Sequence, residues 1–207
     1  MQFLERWNIV FLIGFVMYFA IRAVYGQRTR SESKVLRRVD WMEKALLLAM
    51  TPPVVVLPFV YMFTPLLAFA DYRLPPIVPW IGAATMAASL WLFWRSHADL
   101  GQNWSVSLEM RENHTLVEHG VYRYVRHPMY ASIWLWAFAQ GMLLENWLAG
   151  WSVVPAFAAM YFLRTPREER MMCEAFPEAY RRYMRRTGRL LPRWRSGAGR
   201  DERESDG

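Results

Sequence analysis

What most constrains the fold of this chain is the gathering of its apolar residues into runs of membrane-spanning length. Trp7 to Val24 reads WNIVFLIGFVMYFAIRAV, enough to cross a hydrocarbon core of roughly 30 Å at about 1.5 Å per residue. A cleavable signal peptide needs a basic start, a shorter apolar stretch and a small-residue cleavage site. Here Glu5-Arg6 precedes the run and Arg22-Ala23-Val24-Tyr25-Gly26 follows it, so an anchoring helix is expected. Apolar residues make up 54% of the chain, yet its mean hydropathy is only +0.01. The charge must therefore be segregated between the runs.

Ala45 to Ala70 forms a second run, interrupted by Pro52-Pro53, Pro58 and Pro65. Each proline removes a helix donor and crowds the preceding turn, which predicts a kinked span with a break near Thr51. The turn Asp71 to Pro76 leads into a third span, Ile77 to Trp94, closed by the interfacial pair Trp91 and Trp94. Arg95 to Pro128 is polar and reads as mostly irregular with short helical or extended pieces. Met129 to Leu163 is an apolar run with Glu145-Asn146 in its middle, the pattern of two helices folded back through a tight turn. Beyond it Met171, Met172, Ala175, Phe176, Ala179, Tyr180, Tyr183 and Met184 recur at spacings of three and four. They predict an amphipathic helix on the bilayer or on the spans, broken at Pro177 and ended by Gly188. The expected fold is an all-α, polytopic integral membrane bundle of about five transmembrane helices. Three lie in 1–94; a polar cap, the hairpin 129–163 and the C-terminal helix make up 95–192; 193–207 is a disordered tail.

Basic residues outnumber acidic ones by 25 to 18, and Arg28, Arg30, Lys34, Arg37, Arg38 and Lys44 all fall between the first two spans. The positive-inside bias puts that connection, and with it the ends of the hairpin, on the cytoplasmic side. Attraction to anionic headgroups accounts for basic segments that flank apolar spans, so no nucleic-acid partner is expected. A single cysteine, Cys173, excludes an internal disulfide framework and a multi-cysteine zinc site. His97, His114, His119 and His127 show no pair at helical spacing, so no metal is expected either. Oligomeric state is left open.

Polar groups concentrate in two stretches on the same side of the bilayer, Leu100 to Tyr130 and Arg164 to Glu169, and a closed hairpin would bring them together. Leu100-Gly101-x-x-Trp104-Ser105, His114-Thr115-Leu116-Val117, Gly120-x-Tyr122, Arg126-His127-Pro128-x-Tyr130, Glu168-Glu169 and Phe176-x-x-x-Tyr180 stand in that order. In order and spacing these motifs resemble the isoprenylcysteine carboxyl methyltransferase family of integral membrane enzymes, related more distantly to phospholipid methyltransferases. The resemblance covers about Leu100 to Pro192. It implies a cytoplasmic catalytic cap that binds S-adenosylmethionine through His114, Thr115, Leu116, Val117, Tyr122, His127, Pro128, Met129, Tyr130 and Glu168. It also implies that Arg164, as catalytic and substrate-binding residue, contacts the carboxylate of a lipophilic acceptor, prenylated or lipid-like, delivered from the bilayer. Where some relatives place a glutamine against the cofactor, this chain has Ser107.

The chemistry of those residues fits the implied roles. A cofactor bearing a sulfonium, an ammonium and a carboxylate needs partners of both signs, which Glu168 and the imidazole and phenol groups supply. A carboxylate acceptor is already ionised at neutral pH and needs no general base, whereas an amine must first lose a proton and a thiol works best as thiolate. Glu169, His97 and His119 are the candidate bases for those acceptors. A carboxylate is the first choice; a phospholipid amine or a small thiol is second. A lipid-binding protein without chemistry and a sterol-type reductase are the rival classes. Each residue also has a local reading: Thr165-Pro166-Arg167-Glu168 matches a capping box with proline at the first helical position, Arg164 an interfacial snorkelling residue, and Tyr122 and Tyr130 interfacial anchors.

Overall fold

The computed structural model describes residues 6–28, 34–37, 41–101, 109–111 and 116–193. Its helices are α1 (Arg6–Arg28), α2 (Trp41–Thr51), α3 (Leu57–Phe63), α4 (Val78–Leu100), α5 (Pro128–Leu143), α6 (Val153–Ala175) and α7 (Pro177–Arg186). One short antiparallel ladder, β1 (Lys34–Arg37) with β2 (Glu109–Arg111), accompanies them. The tail expected over 193–207 lies outside the described residues after Arg193, as do His114 and Thr115. Arg6–Gln27 and Lys44–Phe63 are long and apolar enough to cross a membrane. Among the described residues the other helices fall short of that measure: α5 has only 16 residues, and the apolar half of α6 ends at Leu163.

The proline-rich run does not break at Thr51, whose backbone is helical. It passes through a π-helical turn, Pro52–Val56, into α3, which ends at Phe63 ahead of Pro65. Within that turn the Leu57 N–H bonds the Pro52 carbonyl. The next bond of the series would run from residue 58 to the Pro53 carbonyl, but Pro58 has no N–H to give. Gln140, fully buried on α5, supplies the missing donor: its Nε2 donates to Pro53 O at 2.8 Å and to Ala149 O at 2.7 Å, while its Oε1 accepts from Trp136 Nε1 at 3.0 Å. One amide thus ties the kinked helix to the hairpin.

The hairpin turn falls where Glu145-Asn146 interrupts the apolar run. Buried Asn146 accepts from the amides of Leu148 and Ala149 and donates to Leu67 O and Asp71 Oδ1, both at 2.7 Å. A further π-helical turn, Trp147–Trp151, leads into α6. Phe11, Met62, Met86, Leu90, Trp136 and Leu143 form the core that joins α1, α3, α4 and α5. A second cluster, Tyr130, Phe157, Met160 and Tyr161, joins α5 to α6 and takes in Leu46, Leu47 and Met50 of α2 and Leu190 from the C-terminal end.

Two helix limits differ from expectation. The third span continues past Trp94 to Leu100 as a helix, because its polar residues bond their own turn: Ser96 Oγ donates to Leu92 O at 2.6 Å, and His97 Nδ1 lies 2.8 Å from Phe93 O. Helix α6 runs through Pro166 without restarting. Thr165-Pro166-Arg167-Glu168 is therefore interior helix, which removes the capping-box reading. Pro177, by contrast, does separate α6 from α7.

Candidate active site at the open end of the hairpin

The two arms of the hairpin are matched in length. At about 1.5 Å per residue, the rise from Pro128 to Leu143 equals that from Val153 to Glu168, so the acidic pair returns to the level at which α5 begins. Tyr130 Oη donates to Glu168 Oε2 at 2.7 Å. The His127 and Tyr130 rings stack at a centroid separation of 5.5 Å. Arg164 is half-buried one turn before Glu168, and the i, i+4 relation puts both on one face of α6. Thr165 and Glu169, buried on the adjoining face, follow the same spacing.

Glu169 is the centre of an ionic cluster. Its carboxylate accepts from Arg126 Nη2 at 3.0 Å, His127 Nε2 at 3.3 Å and Arg189 Nη2 at 2.5 Å. Burial opposes its charge, but the bonds from His127, Arg189 and Arg126 prevail and hold the carboxyl down to about 2. Arg126 also donates to the carbonyls of Met184 and Thr187, closing the C-terminal end of α7. Beyond α7 the chain turns back as a strap: Gly188 O accepts from Arg126 N at 2.8 Å and Arg189 O from His127 N at 3.0 Å.

The strand of residues before α5 is fixed from its other side. Gly120 has φ +57°, and a Cβ there would lie 2.0 Å from Asp99 Oδ2. Glycine is required both for the backbone and for that approach. It lets Asp99 accept from Val121 N at 2.8 Å while also pairing with Arg95 at 2.7 Å. This sets the 3₁₀ turn Gly120–Arg123 that buries Tyr122. Tyr183 Oη of α7 donates to Tyr122 O at 2.5 Å, and the Tyr122 hydroxyl lies 3.4 Å from Ser96 O. Burial first, and the Glu168 charge second, push the Tyr122 phenol well above its usual value.

Of the residues expected to form the site, Tyr122, His127, Tyr130, Arg164 and Glu168 converge at this end of the bundle. Pro128 opens α5, Met129 is half-buried, and Ser132 Oγ donates to the Met129 carbonyl at 2.6 Å. Leu116 is half-buried and Val117 buried. A cleft of about 680 Å³ beside the strap is lined by Glu118, Arg123, Tyr124, Tyr183, Arg186 and Thr187, none of them an expected cofactor contact. His97 is enclosed by the rings of Phe93 and Tyr25, and His119 is exposed. Sequence reasoning left Arg126 without a role although it stands inside a quoted motif, considered Glu169 only as a candidate base, and missed Asp99 and Arg189 altogether.

The sequence profile of the isoprenylcysteine carboxyl methyltransferase (ICMT) family matches residues 80–174. The cobalt-zinc-cadmium resistance protein CzcN of Cupriavidus metallidurans is 35% identical over 47% of this chain and 45% of its own length. Protein-S-isoprenylcysteine O-methyltransferase of Schizosaccharomyces pombe is 30% identical over 44% of this chain and 40% of its own; the Homo sapiens enzyme is 33% identical over 44% and 32%. The chain thus spans less than half the length of these curated relatives. A solved structure of the eukaryotic intramembrane Ras methyltransferase ICMT superposes with a TM-score of 0.58, covering 92% of this chain and 69% of that one at 21% identity. At that identity the likeness is one of fold.

Proposed function

We propose that this chain, whose residues 80–174 match the profile of the isoprenylcysteine carboxyl methyltransferase family, is an intramembrane methyltransferase that uses S-adenosylmethionine to esterify a lipid-borne carboxylate of the isoprenylcysteine type. The observation that carries the reading is the pairing of Tyr130 with Glu168 beside Arg164, at the end of the hairpin where the family's motifs meet. The bilayer is supported by the surface: Val16, Phe63, Trp91, Phe138 and Phe162, on five different helices, are all exposed, whereas past the site Arg170, Arg181, Arg182, Arg185 and Arg186 are among the exposed residues. Large apolar side chains exposed on five helices suit lipid contact. On this reading five helical segments cross or enter the membrane and the site lies on the cytoplasmic side.

The donor set fits the cofactor. When bound, S-adenosylmethionine supplies a methyl group activated on a sulfonium. Glu168, with Tyr130 and His127 beside it, offers a negative charge and polar partners for its ammonium end. Leu116 and Val117, buried or half-buried, offer apolar contact, with His114 and Thr115 before them in the sequence. Arg164 holds the acceptor carboxylate as a two-pronged donor and fixes its oxygen in line. Such an acceptor requires no proton acceptor, which agrees with the state of Glu169: a carboxyl held at about 2 by three cationic or donating partners is a poor base at neutral pH.

Incubation of membranes holding the protein with methyl-labelled cofactor tests the proposal. Label released as volatile methanol by mild alkali, at a rate nearly flat from pH 7 to 9, is expected of a carboxyl ester. Alkali-stable label and a rate that climbs with pH would mean an amine or thiol acceptor and overturn the carboxylate assignment.

A further inference from the structure

His127 presents Nε2 to Glu169 at 3.3 Å, and among the described residues its Nδ1 makes no side-chain hydrogen bond. An ionised carboxylate can only accept. The nitrogen facing it must therefore carry the hydrogen, and in a neutral imidazole the other nitrogen is then an acceptor. Glu169 is itself immobilised: Arg126 joins it from the segment before α5, Arg189 from the strap, and its side chain is 6% exposed. The backbone holds the ring as well, since the His127 amide donates to Arg189 O on the same strap.

We propose that Glu169 is a positioning residue for the neighbouring cofactor site: it fixes His127 with hydrogen on Nε2 and a free lone pair on Nδ1, so that His127 acts as a hydrogen-bond acceptor toward the methyl donor, while Arg126 and Arg189 hold the carboxylate in place. The second half of this statement rests on the methyltransferase reading; the first does not. The donor class has groups to match, because an ammonium and two ribose hydroxyls all donate. Glu168 and Glu169 thereby divide the work, the first offering charge to the ligand and the second turning a neutral ring into an acceptor.

The test uses the full chain labelled with ¹⁵N-histidine in detergent micelles at pH 8.5, about two units above the ordinary imidazole value, with His127→Asn to assign the resonance. Without ligand, the wild-type protein is expected to show His127 in the Nε2–H form, and Glu169→Gln a mixture of the two tautomers. An Nδ1–H or doubly protonated ring in the wild type overturns the proposal, whether or not the variant folds. An Nε2–H ring unchanged in a folded Glu169→Gln protein overturns it too. In activity assays Glu169→Gln should raise KM for the methyl donor about tenfold and leave KM for the acceptor unchanged; equal rises in both would mean a general structural role. Failure of the wild-type protein to bind S-adenosylmethionine would sink the methyltransferase reading while leaving the tautomer result standing.

Discussion

The phenolic oxygen of Tyr130 and the carboxylate of Glu168, 38 positions apart in sequence, lie 2.7 Å apart across the open end of the hairpin. Nothing covalent enforces this. It follows from two helical arms of equal rise and from an asparagine that fixes the turn between them. Hydrogen bonds to a charged group contribute about 1.5–3 kcal/mol, so Tyr130→Phe should lower the thermal unfolding midpoint of the detergent-solubilised protein without altering its helix content by circular dichroism. An unchanged midpoint would mean that the pair does not help to close the hairpin.

Gly120→Ala should damage the site through Asp99. An alanine there keeps a strained backbone at φ +57° and drives its Cβ into the Asp99 carboxylate. The expected loss is about 2 kcal/mol or more of stability, together with weaker methyl-donor binding because Tyr122 follows two residues later. Asp99→Gly in the same chain should relieve only the collision. Thermal unfolding of the two single variants and the double variant separates these contributions.

Gln140→Leu removes the donor that serves both Pro53 O and Ala149 O. Each buried carbonyl left unsatisfied costs about 1–3 kcal/mol. Pro58→Ala restores the N–H that the π-helical turn lacks, so the double variant should recover part of the loss. Additive effects in a double-mutant cycle would show that the two positions are not coupled.

Glu169 has a folded-state value of about 2 against the usual 4.5. A depressed carboxyl contributes stability that is fully present above the unfolded value and is lost as pH falls through the folded one. Unfolding midpoints should thus be insensitive to this group above pH 5 and decline toward pH 2. The decline should be shallower in Glu169→Gln; parallel curves for the two proteins would contradict the ionic cluster.

Much of this was legible in the residues themselves. Glu145-Asn146 interrupts an apolar run, and the turn falls there; Pro177 lacks a donor, and α6 ends before it. What misled was polarity satisfied locally. Ser96 and His97 look like loop residues until their bonds to Leu92 and Phe93 carbonyls show how a helix hides them. Thr165-Pro166 looks like a helix start, because a capping box is defined by sequence alone, whereas α6 arrives already formed and carries the proline inside it. Prolines in the second run point to a break when only local sterics are considered; Gln140, far along the chain, makes a continuous path possible. In the site, His127, Tyr130 and Glu168 were implied by the family resemblance of their motifs, and the fold brings them together. Arg189 could not, since its strap reaches Glu169 through tertiary folding that no local period records. Asp99 was hidden likewise, because its partner is the backbone of Val121.

Calorimetric titration of the purified protein with S-adenosylmethionine tests the central claim most directly. The account predicts saturable binding to the wild type, weakened about 10- to 100-fold by Glu168→Ala, as expected for loss of a charge-assisted contact, and measurably weakened by Tyr122→Phe. Equal affinity in all three proteins, or no binding to any of them, would contradict a donor pocket built by closing the hairpin.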